Sequence, residues 1–185
     1  MVKRALLNVV LFAAIQLPTS IFAQIPTVSA NNAEMTAIFD TDQSDRTGKS
    51  INWQDVLSHD QERLKRTEVL LENSLLTTGE DYYHAAYLFQ HGVTAESYLK
   101  AHILAMIAMK NGYTKAAWIA SATLDRYLLN IGKAQVFGTQ FKGATIPLGK
   151  PVTVQDMRLK IWEPFDTSVV TDDMRSALNV PRLKK

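Results

Sequence analysis

The stretch TAESYLKAHILAMIAMKNGYTKAAWIASATLDRYLLNIG, residues 94–132, decides the fold. Leu99, Ile103, Leu104, Met106 and Ile107 recur at helical spacing, as do Trp118, Ile119, Leu124, Leu128 and Leu129 beyond the Asn111-Gly112 break. Thr94 is a good N-cap for the first of these helices, with Glu96 and Ser97 in its first turn, and Thr114 is the expected cap of the second. Gly132 is the stop. A run of small side chains, Ala101, Ala105, Ala108, Ala116, Ala117, Ala120 and Ala122, permits close helix approach. Two helices joined by so short a link form an antiparallel hairpin.

Working outward, an aromatic helix is expected over about Asp81 to His91, carrying Tyr82, Tyr83, Tyr87 and Phe89, opened by Thr78 or Glu80 and ended by Gly92. Before it, Asn52 caps a longer helix reaching about Asn73. Its apolar set is Trp53, Val56, Leu57, Leu64, Val69, Leu70 and Leu71, and Gln61, Glu62, Arg63, Lys65 and Arg66 fall on the wet side. A first short helix from Ala33 places Met35, Ile38 and Phe39 ahead of Asp42, Gln43 and Arg46, and Gly48 closes it. Beyond Gly138 the pattern changes. Gly143, Pro147, Gly149 and Pro151 break helices, and Lys150–Val154 and Met157–Trp162 alternate as short strands do. Thr171-Asp172-Asp173 opens a last helix through Leu178, closed by Asn179 and Pro181. The expected class is mainly α: an antiparallel αα stack, repeat-like but without a fixed period, with a small C-terminal β or irregular element and a short final helix.

The N-terminus reads as an export signal. Lys3 and Arg4 precede an apolar run from Ala5 to Ile15, too short to span a bilayer, and Pro18, Thr19, Ser20 and Ala23 complete the tripartite pattern. Cleavage after Ala23 is expected, with Ala30 as the alternative; a buried N-terminal helix or uncleaved anchor is the competing reading. Residues 1–23 are then the signal peptide, 24–33 a flexible leader, and 34–185 a single helical domain in an exported protein, periplasmic or extracellular. Removing Lys3 and Arg4 lowers the 20 Lys+Arg to 18, equal to the 18 Asp+Glu. A neutral surface gives no electrostatic case for nucleic acid. No later segment is apolar enough for a membrane. The chain has no cysteine, which excludes thiol catalysis, Cys-based metal sites and a Cys-linked lipid.

Several polar groups exceed what a helical core requires. Gln90-His91 closes the aromatic helix, where a histidine can be a base or hydrogen-bond anchor, or simply a residue favoured by the helix dipole. Asp125-Arg126 interrupts an otherwise apolar helix, and both need partners if buried. Asp42 and Arg46, four apart, can pair, with Gln43 adding an amide. Gln135-Val136-Phe137-Gly138-Thr139-Gln140 supplies amide and hydroxyl groups around a glycine, but it is not a phosphate loop; a structural turn plugging the stack is the plainer reading. His84 and His91 lie about 10 Å apart along a helix, too far to chelate one ion, and His102 and His59 sit on other helices. No metal or cofactor is expected. No serine occupies a nucleophile elbow, and no carboxylate spacing marks a glycosidase pair.

The ordered set Asp42-Gln43-x-x-Arg46, Gln90-His91-Gly92, Ala101/Ala105 with Gly112, Asp125-Arg126 and Gln135-x-Phe137-Gly138-Thr139-Gln140 resembles the uncharacterised bacterial domain of unknown function 6624. The resemblance covers about residues 35–141, leaving 142–185 as an extension whose Val180-Pro181-Arg182-Leu183 ending is also similar. Where relatives often carry Gly-Trp-Pro, this chain has Asp81-Tyr82-Tyr83-His84. The resemblance implies no established activity; it implies that the polar set belongs together. The leading expectation is an exported helical domain that binds a small ligand or a protein through Asp42, Gln43, Arg46, Gln90, His91, Asp125, Arg126, Gln135, Thr139 and Gln140. One alternative is a hydrolase-like enzyme with His91 as general base, oriented by Asp125 or Asp42. The other is a purely structural interaction module.

Overall fold

In the computed structural model, the hairpin read from residues 94–132 is the centre of the molecule. The structure describes residues 29–47, 51–142 and 161–183. The signal peptide, Gly48, the Lys150–Val154 alternation and all but the end of Met157–Trp162 lie outside the described residues.

Helix α4 (Ala95–Lys110) starts at Thr94, whose side chain accepts from Ser97 N. It ends at Asn111, and Gly112 takes the left-handed backbone (φ 86°) that reverses the chain. Helix α5 (Ala116–Asn130) runs back against it. All seven alanines of the predicted seam are buried, and α4 makes its most extensive packing with α5 and α3. Thr114 does not cap α5: Lys115 stands at the N-cap without a side-chain bond. A tight backbone turn does the capping, with Ala116 N donating to Tyr113 O and Ala117 N to Thr114 O.

Helix α3 (Gly79–Phe89) lies on the other face of α4, entered through a capping box between Thr78 and Asp81. Its first residue must be glycine-sized, because a Cβ there would sit 2.8 Å from Tyr113 Cβ and 2.9 Å from Ala108 O. Asp81 is fully buried and also accepts from Asn32 N at 2.7 Å, tying the start of helix α1 (Ala33–Asp45) to the start of α3. Helices α1 and α2 (Trp53–Glu72) pack on α3. Met35, Leu70, Leu88 and Ile119 are among the fully enclosed side chains of this core.

The reading of α2 needs correction. Its buried residues are Val56, Asp60, Arg63, Thr67 and Leu70, whereas Trp53 (56% exposed) and Leu57 (58%) face water. Arg63, expected on the wet side, is buried because its guanidinium is drawn onto the carboxylates of α1.

A second, smaller core of Phe137, Val170 and Val180 is sealed by Trp118 and Leu124 of α5. It seats the last helix, α6 (Asp172–Ala177), which is capped by Thr171 as expected and followed by Asn179 at φ 58°. Two isolated bridges, Gln135 to Phe165 and Phe141 to Ile161, join the loop after α5 to the chain around Phe165, and no strand forms among the described residues. Side chains of Asp125 and Gln135 take much of that loop's backbone hydrogen bonding.

Candidate functional site

The last turn of α1 and the middle of α2 meet in a cluster of acids and guanidinium groups. Asp42 is 1% exposed, and Arg46, one turn on, donates Nη1 to Asp42 Oδ1 at 2.6 Å. The other Arg46 nitrogen grips both oxygens of Asp60 at 2.7 and 2.6 Å, a forked contact that links α1 to α2. Arg63 lies 3.4 Å from Asp60 and 3.7 Å from Asp42, and bonds Asp45 as well. His59 Nδ1 is 2.9 Å from the same Asp45 oxygen. The Arg63 and His59 bonds hold the Asp45 carboxyl below its ordinary range. Gln43 donates to Asp42 Oδ2 at 2.7 Å. Three acids thus share two arginines. Removing one member of such a buried set typically costs about 3–5 kcal/mol, because its partner is left uncompensated.

His91, in the turn after α3, points into this cluster. Its Nε2 lies 3.4 Å from Asp42 Oδ2, within ion-pair reach, yet it is buried and misaligned for a hydrogen bond. The ring is partly open to a cleft of about 340 Å³, whose lining includes Arg46, Asp60, His91 and Arg126 with Trp53, Leu57 and Val93. Those three apolar side chains are all more than half exposed.

Asp125 has a different task. Its Oδ1 accepts from Val136 N and Phe137 N at 2.8 and 2.9 Å; its Oδ2 accepts from Thr139 N and Oγ1 at 2.9 and 2.8 Å. With no exposure, it wraps the loop after α5 around one carboxylate. Gly138 makes the wrap possible at φ 65°, its Cα face closed by the Phe165 ring. Gln135 stitches the same loop, donating to Gln140 O and Trp162 O and accepting from Gln140 N. From below, the buried Arg175 bonds the carbonyls of Phe137 and Pro181.

The loop delivers Gln140 to Arg126. Gln140 Oε1 accepts from Arg126 Nε at 3.0 Å, while its amide nitrogen donates to Ala122 O and Thr139 Oγ1. Arg126 Nη1 donates to the carbonyl of Gln90 at 2.7 Å. Burial lowers the Arg126 pKa and the neighbouring Tyr98 opposes this; no acid pairs with it among the described residues. Beside it opens a second cleft of about 500 Å³, lined by Tyr98, Arg126, Leu129, Asn130, Gln140 and Trp162. Tyr98 and Arg126 belong to both clefts.

The ten residues singled out in the sequence therefore fall into two groups joined by a bridge. Asp42, Gln43, Arg46 and His91 converge. Asp125, Gln135 and Thr139 converge elsewhere, as the frame of the loop. Gln90, through its backbone, Arg126 and Gln140 connect them. Of the two carboxylates expected to orient His91, Asp42 lies beside it, and Asp125 does not serve, since four donors already fill both its oxygens. His84 stacks on Phe39 at 4.1 Å, its pKa lowered by burial against the pull of Glu80, Asp40 and Asp81, and His102 Nδ1 lies 2.8 Å from Ala120 O.

Sequence reading missed Asp60, Arg63, Tyr98, Trp162 and Arg175. For the first two a signal existed: 56, 60, 63, 67 and 70 is an unbroken four-three spacing, and two charges inside such a stripe mark a buried pair. Nothing local marks the other three. No family model, curated protein or solved structure matches the chain.

Proposed function

We propose that this is an exported helical binding domain whose ligand occupies the joined clefts between α2, the α3–α4 turn and the end of α5. One observation carries the reading. An apolar rim of Trp53, Leu57 and Val93 stands over a floor holding Arg46, Asp60, His91 and Arg126, so water-exposed apolar surface and charge converge in one concavity. Ligand sites combine apolar walls with a few convergent polar groups in this way. Membership of the bacterial domain family 6624 is part of the proposal; its support is that the polar pattern, dispersed over some hundred residues, forms one connected network.

The test is a thermal-shift screen of the purified protein against pooled metabolites and short peptides. A ligand that raises the melting temperature of the wild type, and not that of Leu57→Asp, supports the cleft. A ligand whose shift survives Leu57→Asp and His91→Ala unchanged binds elsewhere and removes it. Export is checked by N-terminal sequencing of protein recovered outside the cytoplasm: the first residue should be Gln24, or Asn31 for the alternative cleavage.

A second reading rests on the 3.4 Å approach of His91 to Asp42, an arrangement that could orient an imidazole as general base. Turnover of a chromogenic ester that His91→Ala abolishes and Asp42→Asn reduces would favour it. The purely structural module is supported by the buried acids and Arg63, but gives no reason for an arginine that lines two clefts with no acid paired to it among the described residues.

A further inference from the structure

The chemistry of Arg126 narrows the class of ligand, an inference that rests on the binding reading above. A guanidinium has five N–H donors in a fixed plane. Arg126 spends one Nε and one Nη1 hydrogen on neutral acceptors, the Gln140 side chain and the Gln90 carbonyl. The remaining three, two on Nη2 and one on Nη1, have no acceptor among the described residues. On the Nη1–Nη2 end of the plane two parallel N–H bonds match the two oxygens of a carboxylate, and both Nη2 hydrogens are free to reach one.

The position is held from both sides. Gln140 is itself fixed by Ala122 O, Thr139 and the Gln135 amide, so the loop organised by Asp125 presents an immobile clamp to Nε. The Gln90 carbonyl clamps Nη1 from the end of α3. A guanidinium braced in this way loses little freedom on binding, which favours affinity. Around it, Trp162 and Leu129 supply aromatic and aliphatic wall, and Asn130 and Tyr98 supply polar edges.

We infer that Arg126 is the anion subsite of the joined clefts, receiving the carboxylate of a ligand whose apolar or aromatic body lies against Leu129 and Trp162. A carboxylate fits better than a phosphate dianion. Among the described residues the other arginine lining the clefts, Arg46, is committed to Asp42 and Asp60, so the subsite they form offers one uncommitted positive charge.

The test uses three probes that share a phenyl group: 4-phenylbutyrate, 4-phenylbutanamide and phenyl phosphate. Each is titrated into ¹⁵N-labelled protein while the Arg126 Nε–H and Trp162 indole N–H resonances are followed. The acid should shift both saturably, and bind about ten- to a hundredfold more tightly than the amide, the range expected when a charge-assisted hydrogen-bond pair is lost. Arg126→Gln should erase the acid's advantage. Arg126→Lys, which keeps the charge and loses the fork, should weaken the acid several-fold, and it carries the test if the Gln variant does not fold. Equal binding of acid and amide overturns the anion subsite and leaves the cleft as a binding site. Tighter binding of phenyl phosphate than of phenylbutyrate overturns the carboxylate assignment. No shift of either resonance with any probe at tens of millimolar removes the binding reading, and this inference with it.

Discussion

Replacing Asp125 with Asn changes one atom's chemistry and almost no volume, so its cost can be worked from hydrogen bonds. The carboxylate accepts four donors, two on each oxygen. An Asn must turn its NH₂ toward one pair. Facing Val136 N–H and Phe137 N–H, it would leave two buried backbone donors unpaired. Facing Thr139 is milder, because the hydroxyl can rotate to accept; Thr139 N–H is orphaned and the hydroxyl hydrogen must find another acceptor. The milder arrangement removes the charge assistance of every bond to the group and strands one buried backbone donor, a loss of about 3 kcal/mol. For a domain of this size each kcal/mol moves the melting temperature by about 2–4 °C, so Asp125→Asn should melt about 6–12 °C below wild type. Circular dichroism melts measure this directly. Because the loop carries Gln140 to Arg126, the variant should also move the Arg126 Nε–H resonance. A melting point within about 2 °C of wild type, with that resonance unmoved, would refute the view that Asp125 organises the loop.

Three further outcomes are expected. Burial pushes the Asp81 carboxyl up, but the bonds from Thr78, Thr77 and Asn32 prevail and hold it below its ordinary value. Such a group stabilises the fold fully above its unfolded pKa of about 3.9 and loses that contribution as pH falls through the lower folded value. Urea midpoints should accordingly separate wild type from Asp81→Asn at pH 6, and the gap should narrow as pH falls below about 3.9; a gap that does not change with pH counts against the assignment. Arg63→Ala should cost about 3–5 kcal/mol in chemical denaturation, since it strands buried acids, whereas Arg66→Ala, which removes an exposed pair with Glu34, should leave stability essentially unchanged. Gly79→Ala should destabilise by about 1–3 kcal/mol, because the added methyl meets the Ala108 carbonyl and the Tyr113 Cβ; a neutral result would show that the start of α3 stands off from the α4–α5 turn.

Much of the scaffold was readable from local chemistry. Asn52, Thr78, Thr94 and Thr171 mark helix starts because a side-chain oxygen beside a free backbone N–H is a short-range matter, whereas Asn32, expected in a flexible leader, caps α1. Gly112 and Gly132 mark stops because only glycine enters the left-handed region cheaply. The alanine seam announced the α4–α5 contact. Thr114 failed as a cap because a backbone turn satisfied the same donors first. On α2, Trp53 and Leu57 lie at the rim instead of the core, and Arg63 in the core instead of at the surface, since hydropathy is blind to a partner on another helix.

The Asp42–Arg46 pair and the helix order were thus set by the linear sequence, where spacing of three or four residues brings side chains together without outside help. Which of the other polar residues meet was decided only by the packing of α1 and α2 on α3, and of α3 on the α4–α5 hairpin. That packing sent Asp125 to its own loop, gave His91 to Asp42, and left Arg126 between two clefts, bonded to the Gln140 side chain and the Gln90 carbonyl. Charges and amides choose partners through distances of a few ångströms, and between residues 36 or 49 positions apart those distances exist only once the helices have closed on one another.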